Sequence, residues 1–201
     1  MEIAPVVLDG IRELITMGVG RAAGMLNPLT GAHITLSVPD VNILHNVMEC
    51  HIHSVPEESA SLVNLIFNGN LSGSTILIIP HISALNLVTI LTGEEGTAAE
   101  MDALRVETLM EVGNIIISAI MSALCTLLET RLNYQIPVYR TGTAASLITH
   151  TLTSAEDTSI IAHIMLQTHK REIHGDIIIS LSGSSFQSLK ERILTVMGGD
   201  G

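Results

Sequence analysis

The hydrophobic pattern runs twice through one order: a long helical stretch, a strand, a short helical stretch, a hairpin and a helix. From Asp9 to about Leu26 apolar residues recur at helical spacing. Asp9 is placed to cap or open that helix, and Pro28 to stop it, because a proline disfavours helical geometry just before itself. Residues 32–38, AHITLSV, alternate apolar and polar as a strand does, with Pro39 and Asp40 ending it and a short helical turn predicted over 41–49. The segment 60–79 predicts two strands flanking an Asn68–Gly69–Asn70 turn. Pro80 then opens a helix over roughly 81–91, which Gly93 closes.

Residues 93–101, GEEGTAAEM, read as a hinge. Beyond them come a second long helix over about 102–130, a strand at 132–138 and a short helix near 143–151. A second hairpin turns around His169–Gly175, and a last helix covers about 184–197 with Ser182–Gly183–Ser184–Ser185 as its start signal. Gly18, Gly20 and Gly24 inside the first long helix each cost about 1 kcal/mol against alanine, so they predict a close neighbouring backbone. The small residues Gly113, Ser118 and Ser122 of the second long helix are the facing candidates. The predicted fold is α/β of the α+β type: a single domain over 1–201 made of two tandem repeats, about 1–97 and 98–201. The repeats share one mostly antiparallel sheet with helices packed on a face.

Composition sharpens this picture in two ways. The apolar share is 47% but aromatics are only 2% with no Trp, so the core must be built from aliphatic residues and methionine. A net charge of −11 with nine Lys plus Arg lacks the basic footprint that nucleic acid or an anionic membrane surface needs. Residues 112–128 carry no charge, yet Glu111 and Glu129 bound the run and Asn114, Ser118 and Ser122 interrupt it. It therefore reads as a core helix, not a membrane span. Cys50 and Cys125 have no metal or redox spacing, Cys125 reading as a buried free thiol, and the start MEIAPVV has no basic region of a signal peptide. A cytoplasmic location is expected.

Chemistry concentrates in the second long helix. Glu111 and Asn114 are the only charged or amide side chains between Leu109 and Leu128, and they lie one turn apart on one helix face. Such groups on an apolar helix are costly unless partnered or employed. As a lone instance they would read as a hydrogen-bonded pair registering two helices. The chain repeats the pattern 98 positions earlier: Glu13 falls on Glu111, Asp9 on Glu107, Thr16 on Asn114 and Pro39 on Pro137. Matching the acid, the apolar phase and the proline together argues for an internal duplication. The histidines tempt less. His51 and His53 alternate without a third ligand at useful spacing, and His163, His169 and His174 flank the second hairpin as solvated or satisfied side chains. Lys170 and Arg171 read as a solvated turn.

The full pattern is an acid, three residues, Glu, two residues, Asn, twenty-two residues and Pro, carried by Glu107, Glu111, Asn114 and Pro137. Doubled along the whole chain, it resembles the CheC family of chemotaxis phosphatases, which includes CheX and is related to the FliY and FliM switch proteins. The resemblance implies hydrolysis of the aspartyl phosphate of a CheY-type response regulator. Mg²⁺ would belong to the phosphorylated regulator, and no cofactor or metal is expected on this chain. Glu111 is implied to contact the regulator's active-site lysine and Asn114 to orient the attacking water, so both should be exposed. Glu107 is longer than the family's Asp or Ser at that position. Asp9, Glu13 and Thr16 form a degenerate counterpart, because a threonine hydroxyl is shorter and stiffer on a helix than an amide. The alternative is a non-catalytic module that binds a receiver or a flagellar switch partner, as a FliM-like middle domain does. A CheD-type protein is a further partner that the resemblance implies.

Overall fold

The structure is a computed structural model that describes residues 3–30, 33–45, 58–93, 101–152, 157–169 and 171–197. In chain order the elements are α1 (Pro5–Thr30), β1 (Thr35–Leu44), β2 (Ser59–Gly69), β3 (Gly73–Pro80), α2 (His81–Thr92) and α3 (Met101–Leu127). They continue with β4 (Leu132–Tyr134), β5 (Val138–Thr143), α4 (Ala144–Thr151), β6 (Thr158–Gln167), β7 (Glu172–Leu181) and α5 (Gly183–Met197). All seven strands form one sheet in the order β1-β6-β7-β3-β2-β4, with β5 also on β2, and every pairing is antiparallel. The strand after α1 pairs with the hairpin that follows α3, and the strands after α3 pair with the hairpin that follows α1.

Side-chain alternation divides the sheet between two cores. Val63, Leu65 and Phe67 of β2, Leu77 and Ile79 of β3, and Ile177 and Ile179 of β7 join the buried faces of α1, α2, α3 and α5 in one large aliphatic cluster. Leu62, Ile76, Ile78, Ile161 and Ile178 point the other way, and Leu147 and Ile148 of α4 cover them. The sequence placed helices on a face; four of the five lie there, while α4 closes part of the opposite one. Thr143 caps α4, its Oγ1 accepting from the Ser146 N–H at 3.3 Å.

The two long helices are neighbours, and the contact explains one glycine. A Cβ on Gly18 would stand 2.5 Å from the Ile120 Cα, so α1 and α3 approach there as only glycine allows. The other facing assignments are corrected. Gly20 and Gly24 look into open space, Gly113 packs on Val63 of β2, and Ser118 and Ser122 are exposed.

Several expected boundaries also move. α1 begins at Pro5, so Asp9 lies inside it, and it runs past Pro28 to Thr30. A proline crowds the carbonyl four residues back, which here belongs to the exposed Gly24, and it sits in the last turn, where few bonds are at stake. β1 runs through Pro39 and Asp40 to Leu44, so residues 41–44 are strand and not a helical turn. The sheet tolerates the proline because the register slips between Ser37 and Asp40, a bulge on a strand that among the described residues pairs only with β6. Residues 46–49 and 94–100, with them most of the hinge, lie outside the described residues, as do His51, His53 and Cys50. The strand expected at 132–138 divides into β4 and β5 around Gln135–Pro137. Gly93 closes α2 as expected, at φ 72° with its N–H bonded to the Thr89 carbonyl at 3.0 Å.

The α4 side of the sheet holds a polar chain. His163 Nδ1 lies 3.1 Å from the Asp176 carboxylate, His163 Nε2 lies 3.1 Å from His174 Nδ1, and His174 Nε2 lies 2.7 Å from Glu172. Ring centroids 5.3 Å apart at an interplanar angle of 11° are what two coplanar imidazoles give when joined nitrogen to nitrogen, edge to edge. These are satisfied histidines, as expected. His163 and Asp176 are buried, which such pairing permits. Glu172 is exposed; the Gln167 amide chiefly, and His174 after it, hold its carboxyl below the usual range. Arg171 is not a solvated turn residue: it donates to Asn86 of α2 at 2.5 Å.

Candidate functional site

α3 passes the composition test for a membrane span over Ala103–Leu127, but 61% of its most apolar stretch is buried inside the protein. Leu109, Val112, Ile116, Ile117 and Ile120 enter the core. What remains outward is a ridge one residue wide at each turn: Glu107, Glu111, Asn114, Ser118, Ser122 and Cys125. Glu107 and Glu111 are exposed and Asn114 is half-buried. Neither glutamate is paired with another described residue. Ser118 donates to the Asn114 Oδ1 at 3.3 Å, one turn further on. Glu111 is thus exposed, as the resemblance implied, while Asn114 is only half so; neither is sealed in the core as a lone pair of this kind would imply.

Beyond Ser118 the ridge meets a shallow groove of about 330 Å³ lined by Ser122, Cys125, Thr130, Arg131 and Tyr134. Cys125 is free and half-buried, not sealed in the core, and its Sγ lies 3.7 Å from the Tyr134 hydroxyl. Partial burial of its hydroxyl end, and then the thiol, push the Tyr134 phenol up, so it stays protonated at any ordinary pH.

The corresponding ridge on α1 differs. Asp9 and Glu13 are exposed, and Asp9 pairs with Arg12 at 3.5 Å. Thr16 is exposed as well, but its hydroxyl turns back along the helix to the Arg12 carbonyl at 2.8 Å. Glu13 borders an apolar groove of about 150 Å³ between α1 and α5, with Leu14, Met17, Ile193, Val196 and Met197. Gly10 allows α5 this close: a Cβ there would stand 2.5 Å from Ile193 Cγ2. The two prolines of the pattern lie on neither helix: Pro39 is at the bulge of β1 and Pro137 between β4 and β5. Among the described residues no cluster of three or more His, Cys, Asp or Glu could hold a metal ion.

No family model matches the sequence. Solved structures do. FliY of Thermotoga maritima superposes with a TM-score of 0.76 at 18% identity, covering 97% of this chain and 99% of that one. A chain of the FliG–FliM complex from H. pylori gives 0.68 at 11% identity, covering 94% and 100%. A chain of the CheX–CheY–BeF3–Mg²⁺ complex from Borrelia burgdorferi gives 0.56 at 18% identity, covering 85% and 96%. The chain has the CheC-like fold. Within that fold, two features of the ridges escaped the sequence reading. The Ser118 hydroxyl on Asn114 and the Asp9–Arg12 pair both sit at spacings of three or four residues, which helix geometry alone could have flagged. The groove beside Glu13 depends on α5, 180 residues downstream of it in sequence, and left no local signal.

Proposed function

We propose that this protein is a phosphatase acting in the cytoplasm on the aspartyl phosphate of a CheY-type response regulator. One observation carries the reading. Glu111 and Asn114 stand together on the outer ridge of a helix whose inner face is buried, Glu111 without a partner among the described residues and Asn114 bonded to Ser118. A helix ridge of that shape can enter a receiver's phosphorylated pocket. Glu111 would pair with a lysine ammonium of the receiver and fix the docking register. Asn114 would hold a water in line with the phosphorus, since an amide accepts and donates at once. Attack forms the new P–O bond as the acyl-phosphate P–O bond breaks, leaving the receiver's aspartate and inorganic phosphate. Positioning and charge stabilisation supply most of such a reaction, and Mg²⁺ held by the receiver would serve it from the other side. The two-repeat organisation belongs to the same reading, with Glu111 and Asn114 as the working copy and Asp9, Glu13 and Thr16 as the degenerate one.

The reading is supported by the likeness to a complex containing CheX and CheY, and by the separate likeness to FliY. A second reading keeps one specific observation in its favour: Thr16 turns its hydroxyl inward, and a FliG–FliM complex shares the fold. On that reading the chain binds a receiver or a flagellar switch protein without chemistry. Neither set of likenesses points to a CheD-type partner. Phosphate release from a phosphorylated CheY-type receiver decides between the two: acceleration that Asn114→Ala removes supports the phosphatase, and binding without acceleration supports the module.

A further inference from the structure

We propose that Ser118 is a positioning residue for Asn114, fixing the plane of its side-chain amide before the receiver arrives. The inference rests on the reading of Asn114 as the group that orients water.

Helical hydroxyls in this molecule have a common habit. Thr16, Thr89, Thr126, Thr149 and Thr195 each donate to the backbone carbonyl four residues back, at 2.8–3.0 Å. Ser118 departs from it. Its hydroxyl donates instead to the side chain four residues back, the Asn114 Oδ1, at 3.3 Å. A half-buried asparagine on a helix ridge still turns about two side-chain torsions, and the ridge itself offers little to stop the outer one. The serine hydroxyl supplies that stop. It occupies one lone pair of the amide oxygen and leaves the other lone pair and the NH₂ available to another molecule. Placement matters here because a displacement of about 1 Å in such a group can cost on the order of a hundredfold in rate.

The other copy gives an internal control. At the same offset of 98, Asn114 becomes Thr16 and Ser118 becomes Gly20. Gly20 has nothing within 4 Å of where a Cβ would lie, so packing does not demand glycine at that position. The amide and the hydroxyl that holds it are thus both present on α3 and both missing on α1. A serine retained only for solubility would have no reason to follow the amide.

The test is steady-state dephosphorylation of a CheY-type receiver phosphorylated with phosphoramidate, for the whole chain and four variants. Ser118→Ala should lower kcat about tenfold and leave KM within about twofold, because docking through Glu111 is untouched. Ser118→Thr, which keeps a hydroxyl, should recover most of the loss. In the residual activity of Asn114→Ala, adding Ser118→Ala should change nothing, the mark of a residue acting through its neighbour. Thermal melting should not separate Ser118→Ala from the parent. Unchanged kcat in Ser118→Ala beside an inactive Asn114→Ala would overturn the positioning role and leave the phosphatase standing. A further loss in the double variant would also overturn it. Full activity in Asn114→Ala would remove both.

Discussion

The outer ridges of α3 and α1 are built on one sequence pattern and end in different places. On α3 an amide reaches outward, its oxygen held from the side by a serine; on α1 a threonine folds its hydroxyl back onto the Arg12 carbonyl. The carboxylates differ in company too. Glu111 stands without a partner among the described residues, while Asp9 is drawn to Arg12 and Glu13 borders an apolar groove under α5. The seam between the helices is the common part, set by Gly18 against Ile120. One scaffold can therefore keep two helices in register while their outer ridges carry different groups in different company.

The sharpest way to break this contrast is to remove the two side chains in turn. Asn114→Ala should cut receiver dephosphorylation by about a hundredfold or more, on the order of 3 kcal/mol of barrier, while Thr16→Ala stays within about twofold. Equal losses in a phosphate-release assay would mean that both ridges work. Glu111→Ala should raise KM by about tenfold with a smaller effect on kcat, and Glu13→Ala should not. The two variants compared by titrating the receiver give the answer directly. The glycines of α1 sharpen the structural half of the comparison. Gly18→Ala should lower unfolding stability by about 2 kcal/mol because the added methyl meets backbone, whereas Gly20→Ala should raise it by about 1 kcal/mol. Urea midpoints at constant m-value measure both, and similar signs for the two would contradict the seam. The smallest effect is expected from salt. Raising it from about 0.05 to 0.5 M should increase KM two- to threefold, and Glu111→Ala should flatten that dependence, since an exposed ion pair is screened over a few ångströms.

Much of this was legible in the sequence because it depends on short spacings. The three-residue step from Glu111 to Asn114, the glycine after α2 and the alternation within the hairpins are local signals, and local geometry honours them. What failed did so where a distant element decides. Pro28 was expected to end a helix and Pro39 a strand; each is carried through by its setting, an exposed glycine one turn back and a bulge on an edge. Neither setting can be read from the residue itself. The small residues of α1 and α3 were assigned to one seam as a group, although only Gly18 enters it, because spacing gives the phase of a helix and not which neighbour lies on each side. The His163–Asp176 pair joins positions that two strands bring into register, an arrangement that no spacing along one strand announces.

Pro39 and Pro137 close the repeated pattern, yet neither lies on the helices that carry its acids. Each falls in the extended segment that follows a long helix: one makes β1 skip a residue against β6, the other marks the gap that parts β4 from β5. Both segments lie at the margins of the sheet, where an unbroken strand would offer a straight row of free amides and carbonyls to any passing chain. A ring without an N–H, set at a kink, makes a poor template. The same two residues that help to mark the motif thus act as stoppers against sheet growth at either end.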